Sequence, residues 1–200
     1  MSDNRTERAI RFMENLKHTK GKEYGKNISL WTWQRTVTSS ILRYSKNRDN
    51  EFCDYRILKV AGPMKIGKTT LAAALGLYLL CGDDEPNAVV LGVSDTNSKA
   101  RLIFDAAREM IEQDEHLVNN VRIKCNSSEM QIEYLPTGGV FIFGSARTNR
   151  MWHKDPSAII YDGLADMATP ENMEKLQDTE IYERPEQIRL FFLDGVESCV

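Results

Sequence analysis

Apolar and polar positions recur along this chain at periods that change from segment to segment, and each change marks a predicted element. Arg5 to Leu16 sets Ile10, Phe12, Met13 and Leu16 among charges at helical spacing, which predicts a helix with one apolar face. Thr19 to Asn27 is rich in Gly and Lys and reads as a solvated loop. Ile28 to Gln34 is aromatic and reads as extended, leading into a helix from Gln34 to about Tyr44. Lys46 to Asp54 is polar and turn-like, and Tyr55 to Ala61 predicts a strand. A helix-forming run, Lys68 to Cys81, follows a short glycine-containing loop, and Gly82 to Asn87 breaks the chain. Ala88 to Val93 is a continuous apolar run, the mark of a strand buried on both faces.

The second half continues the alternation. Thr96 to Asp114 carries Ala100, Ile103, Phe104, Ala107 and Ile111 on one helical face. Val121–Cys125 and Met130–Leu135 alternate well enough to form an antiparallel pair, and Gly138-Gly139 turns into a strand over Val140–Gly144. Ser157 to Asp162 is an apolar run ending in a carboxylate, Glu171 to Thr179 predicts a polar helix, and Ile188 to Leu193 a last strand. Strands alternating with helices predict an α/β fold with a mostly parallel sheet and helices on both faces. No internal repeat or low-complexity segment interrupts it.

Composition narrows this picture only a little. The chain has 200 residues, 28% of them charged, with a net charge of −3, so no global excess of basic charge marks a nucleic-acid binder. A local basic stretch such as Lys17 to Lys26 would have to make any DNA contact. Cys53, Cys81, Cys125 and Cys199 are scattered without a C-x-x-C pair, which reads as free thiols in a reducing compartment. No apolar run is long enough to cross a membrane and the N-terminus has no signal-peptide core, so the expectation is a soluble intracellular protein without a membrane partner.

The chemistry enters at Gly62-Pro63-Met64-Lys65-Ile66-Gly67-Lys68-Thr69, a complete G-x-x-x-x-G-K-[ST] (Walker A) phosphate-binding loop. It stands between a predicted strand and a predicted helix, the context in which its glycines let backbone N–H groups surround phosphate oxygens at the positive helix end. Gly62, Lys65, Gly67, Lys68, Thr69 and Thr70 are therefore the candidate nucleotide-binding residues. Lys68 would reach the β- and γ-phosphates of ATP, and Thr69 would offer its hydroxyl to Mg²⁺.

Asp162, at the tip of the apolar run Ala158-Ile159-Ile160-Tyr161, is the candidate acid on the metal side; its other reading is an Asp that merely ends a strand. The following position, where a general base would activate water, is Gly163, which offers neither base nor side-chain hydrogen bond. Asp166 is the nearest carboxylate that could substitute; otherwise it caps or begins a helix. Before the loop, Trp33 could pack near an adenine and the Gln34 amide could both donate to and accept from its edge. Alternatively, Trp31 and Trp33 are core aromatics and Gln34 a residue of a helix start.

Taken together, these residues resemble the ATPase domain of tailed-phage terminase large subunits, the motors that package viral DNA. The likeness runs from about Arg8 to Met167: the opening segment Ala9 to Lys22, Trp33-Gln34 at the adenine-motif position, Thr70 to Leu80 after the loop, Lys99 to Ala107, and Pro156 to Asp162. The resemblance implies an additional-strand P-loop NTPase fold, with residues 1–54 as an N-terminal helical and adenine-motif segment and 55–200 as the ATPase core. It implies ATP-powered translocation of double-stranded DNA by a ring of subunits, together with a portal and a small subunit, in the host cytoplasm. The family's RNase H-like nuclease domain is not expected within these 200 residues.

Three positions depart from the family pattern. The loop arginine that senses the γ-phosphate falls on Met64 with Lys65 beside it, the catalytic glutamate falls on Gly163, and Leu193 to Glu197 stands in place of a Thr- and Gly-rich coupling motif. Lys68, Asp162 and Asp166 are the candidate catalytic residues, with Thr69 and Asp162 on the metal side. The expectation is a terminase-like ATP-binding module; the alternative is a hydrolysis-deficient, nucleotide-dependent binding protein derived from that motor. A small-molecule kinase is disfavoured, since no lid or acceptor-binding pattern is present.

Overall fold

The apolar strand runs assemble into a seven-stranded sheet of order β1-β7-β6-β2-β5-β4-β3. It is seen in a computed structural model that describes residues 5–42, 57–126, 129–146, 155–163 and 188–194. The strands are β1 (Ile57–Gly62), β2 (Val89–Ser94), β3 (Val121–Cys125), β4 (Met130–Tyr134), β5 (Gly139–Ser145), β6 (Ala158–Asp162) and β7 (Ile188–Asp194). β1, β7, β6, β2 and β5 pair in parallel, and β5, β4 and β3 form an antiparallel meander at one edge. The last described strand lies between the first and the sixth, as an additional-strand P-loop NTPase requires, and the mostly parallel α/β sheet read from the sequence stands.

The helices are α1 (Arg5–Asn15), α2 (Thr32–Leu42), α3 (Lys68–Cys81), α4 (Asn97–Glu112) and α5 (Glu115–Asn120). α3 is apolar all round, and its residues from Leu71 to Leu80 are buried, as expected of a helix enclosed on every side. It approaches β5 so closely that a Cβ on Gly76 would lie 2.3 Å from two ring carbons of Phe141. Ala9 and Met13 of α1 and Val37 and Ile41 of α2 join α3, α4 and the strands in one core. A second buried cluster, Leu91, Val93, Ile159, Tyr161 and Phe191, comes from strand residues alone, with Tyr161 stacked on Phe191 at 4.3 Å.

α1 is fastened at both ends. Arg5 donates to both carboxylate oxygens of Asp83, and Tyr78 Oη donates to Arg5 O at 3.1 Å, which joins the start of α1 to the end of α3. Further along, Glu14 Oε1 accepts from Leu30 N at 3.1 Å and pairs with Arg35 of α2.

One local reading needs correction. Ile28–Gln34 is not a strand running into a helix at Gln34: α2 begins at Thr32 and holds both Trp33 and Gln34. The cause is local, because the Gln34 side-chain carbonyl accepts the Trp31 N–H at 2.9 Å, the back-reaching half of a capping box. The helix expected over Thr96–Asp114 is α4, and a short further helix, α5, follows it directly. Thr96 caps α4, and Asp114, read as its end, instead caps α5 by accepting from His116 N and Leu117 N. The helix expected over 171–179 lies outside the described residues, as do Cys53, Cys199 and Asp166. Among the described residues no helix is long and apolar enough to cross a membrane.

Candidate functional site

The phosphate-binding loop forms where parallel strand β1 stops and α3 starts. Gly67, the residue before α3, has φ 92°, a left-handed conformation that costs glycine nothing. Lys65 adopts φ 65° without that freedom, and Met64 beside it is 73% exposed. At Gly62 a Cβ would come within 2.7 Å of Ile66 Cδ1, the far end of a side chain that would have to move aside.

Lys68 is 5% exposed, and its ammonium donates to Gly62 O at 2.8 Å and Pro63 O at 2.6 Å. The next residue, Thr69, donates from Oγ1 to Asp162 Oδ2 at 2.5 Å. Strand order explains that meeting: α3 crosses the face of the sheet from β1, while β7 separates β1 from β6 and leaves Asp162 at the adjoining carboxyl end. Crevices outside the carboxyl ends of parallel strands are where ligands bind in open α/β sheets. Thr70 follows in the first turn of α3 and is half-buried.

Thr69 and Asp162 present a hydroxyl and a carboxylate, hard oxygen donors suited to Mg²⁺, which takes few protein ligands and completes its shell with phosphate and water. No group of three or more His, Cys, Asp or Glu positioned for a metal is present among the described residues.

Gln34 reaches the same loop from the other side. It is 7% exposed, and its Nε2 lies 3.2 Å from where a Cβ on Gly67 would stand. Trp33 is half-buried against the main core with its indole N–H enclosed, whereas Trp31 is 63% exposed. The two tryptophans therefore divide, one into the core and one to the surface. In the basic segment, Lys26 pairs with Glu23 at 2.9 Å and Lys17 with Asn27, while Lys20 and Lys22 project into solvent.

Gly163 is buried, with φ 78°, and its N–H donates to Phe192 O of β7 at 3.2 Å. The position after Asp162 is thus held in a backbone conformation that L side chains rarely adopt.

The sequence reading passed over the end of β2. Ser94 is wholly buried and donates from Oγ to Asp162 O at 2.5 Å. Asp95 is 7% exposed, accepts from Lys99 Nζ at 2.6 Å, and lies 3.3 Å from Ser94 Oγ. Ser145 Oγ of β5 donates to Asp95 O at 2.8 Å, and Ser145 N donates to Asn97 Oδ1 at 2.9 Å. Burial alone would raise the Asp95 carboxyl, but the Lys99 ammonium, the Ser94 hydroxyl and the Thr96 amide outweigh it and hold the group below its ordinary value. The available signal was the same as for Asp162: an apolar run closing on a carboxylate.

No protein-family model matches the chain, and no curated protein matches it. Solved structures do. The crystal structure of the HK97 bacteriophage large terminase matches at a TM-score of 0.77 and 19% identity, over 96% of this chain and 38% of that one. A large terminase from a thermophilic bacteriophage matches at 0.55 and 13% identity, over 82% of this chain and 38% of that one. The UvsW helicase from bacteriophage T4 matches at 0.54 and 12% identity, over 94% of this chain and 59% of that one. The chain has the fold of these large terminases and spans 38% of the length of each of the two.

Proposed function

We propose that this chain is the ATP-binding module of a terminase-like motor, which uses ATP to move double-stranded DNA during viral genome packaging. The observation that carries the reading is the bond from Thr69 Oγ1 to Asp162 Oδ2, at 2.5 Å. It joins the last residue of the phosphate-loop motif to the acid that the motif needs, within a fold like that of the HK97 large terminase over 96% of the chain.

On this reading the loop amides and Lys68 hold the triphosphate, while Thr69 and Asp162 hold Mg²⁺, which neutralises charge on the phosphates. Gln34, whose amide lies beside Gly67, would meet the base, with Trp33 packed in the helix that carries it. Residues 1–54 then serve as the base-binding segment and 55–200 as the ATPase core. Double-stranded DNA, a portal, a small subunit and neighbouring copies in a ring are the partners such a motor engages, in the host cytoplasm.

The test is a titration with a non-hydrolysable ATP analogue and Mg²⁺, beside a steady-state ATPase assay with and without double-stranded DNA. Saturable binding, and turnover stimulated by DNA and abolished in Lys68→Ala, are expected. Absence of Mg²⁺-dependent binding overturns the reading. A second reading is favoured by Gly163 and Met64, where a base and a loop arginine are missing: a protein that binds ATP as an assembly ligand without turning it over. Tight analogue binding with no turnover is its signature.

A further inference from the structure

β2 and β6 are parallel neighbours, and their register ends with Val93 opposite Tyr161. Continuing it by one residue sets Ser94 beside Asp162, as the bond from Ser94 Oγ to Asp162 O confirms. By two residues it sets Asp95 beside Gly163. We propose that Asp95 is the carboxylate that orients the attacking water in this site, from the strand next to the one where a base is missing. The proposal rests on the ATP-hydrolysing reading and names a catalytic group for it.

Three features equip Asp95 for that task. It stands at the carboxyl end of a parallel strand, one strand over from the acid that meets Thr69, where ligands of open α/β sheets bind. It is held from several directions: Lys99 Nζ on Oδ2 at 2.6 Å, Ser94 Oγ near Oδ1 at 3.3 Å, and Ser145 Oγ on its main-chain oxygen at 2.8 Å. A water-orienting group must be fixed in this way before substrate arrives, because misplacement by about an ångström can cost two orders of magnitude in rate. Finally, Ser94 Oγ donates to the main-chain oxygen of Asp162 at 2.5 Å and lies 3.3 Å from Asp95 Oδ1, so one buried hydroxyl stands between the ends of the two strands.

In the step assigned to it, the water oxygen bonds to the γ-phosphorus as the bond to the β–γ bridging oxygen breaks. ADP departs with that electron pair, one water hydrogen remains on the phosphate product, and the other leaves as a proton through the Asp95 carboxylate to solvent. Lys99 and Ser94 are positioning residues, acting through Asp95. The competing role is structural, an ion pair that orders the first turn of α4.

The experiment compares the parent chain with Asp95→Asn and Lys99→Met, measuring kcat, KM and the Kd of a non-hydrolysable ATP analogue with Mg²⁺. Asp95→Asn is expected to lower kcat by about 10²- to 10⁴-fold, the span for loss of a positioned base, with Kd within about threefold. Lys99→Met, which keeps the carboxylate, is expected to lose about tenfold or less on the same reasoning. A kcat for Asp95→Asn within about threefold of the parent overturns the proposal, and so does an equal loss in both variants. If Asp95→Asn fails to bind the analogue, Asp95→Glu takes its place. On the proposal its longer arm lowers kcat at least about tenfold at unchanged Kd, and an unchanged kcat overturns the assignment. A parent that binds the analogue without turnover overturns the role of Asp95 alone. A parent that does not bind overturns the nucleotide reading beneath it.

Discussion

Thr69 Oγ1 donates to Asp162 Oδ2 at 2.5 Å across 93 positions of sequence. The hydroxyl at the head of α3 and the carboxylate at the end of β6 therefore hold each other, somewhat closer than the spacing of about 2.9 Å between adjacent oxygen ligands of an octahedral Mg²⁺. Thr69→Ala should reduce analogue affinity in Mg²⁺ by about tenfold or more, since one hydrogen bond to a charged group is worth roughly 1.5–3 kcal/mol. The same variant should bind almost like the parent in EDTA. Titrations in the two buffers check this, and an equal loss in both would place Thr69 outside the metal side of the site.

Gly76→Ala should destabilise the protein even though alanine is the better helix former. Its Cβ would overlap the Phe141 ring at 2.3 Å, and Phe141 is fully buried with Phe143 at 4.1 Å behind it. Overpacking of a filled core costs about 1–3 kcal/mol, which for a chain of this size lowers Tm by roughly 2–12 °C. A thermal melt at or above the parent's Tm would mean that α3 rides higher on the sheet than described.

Gly163→Glu should not restore a missing base. With φ 78° at a buried position, any L side chain there is strained by about 1–2 kcal/mol before its carboxylate is desolvated. The expected result is a lower Tm and no gain in kcat. A gain in turnover at unchanged Tm would return the catalytic role to the end of β6.

Cys81 and Cys125 should separate sharply in alkylation of the native protein. Burial, helped by the nearby Asp114 charge, pushes the Cys81 thiol up to about 12, while Cys125 is exposed. The thiolate is the reactive form, so near pH 8 the Cys125 peptide should be labelled orders of magnitude sooner than the Cys81 peptide, as read by mass spectrometry. Because the folded state raises this pKa, the associated stability is fully present below about pH 9. It is lost as pH climbs toward 12. Native-state labelling of both peptides at one rate would contradict the raised pKa of the Cys81 thiol.

The legible and illegible parts of this protein differ in what sets them. α3 could be read from Lys68 to Cys81 because a motif opens it and Gly82 closes it. Strands β2, β6 and β7 were visible as apolar runs, since strands buried on both faces have no polar alternation to blur them. The start of α2 was hidden because Ile28 and Leu30 are buried between exposed Ser29 and Trp31. That period-two pattern mimics a strand, and only the Gln34 side chain, turned back on the Trp31 amide, decides for helix. Asp162 was identified from its place after an apolar run. Asp95 has the same kind of place, but its importance depends on β2 and β6 being neighbours, a fact of strand order that linear spacing does not contain.

The position of β7 bears on how such a chain comes into being at the ribosome. β1 and β6 are both synthesised before Ile188 to Asp194, yet each pairs with β7 and the two do not pair with each other. A nascent chain that has emerged only through Gly163 thus lacks the strand that bridges the phosphate loop's β1 to the β6 of Asp162. Completion waits for a seven-residue strand to thread between them. The site is therefore complete only after Asp194 has been made, so a product stalled or clipped before Ile188 would carry the motif without the geometry.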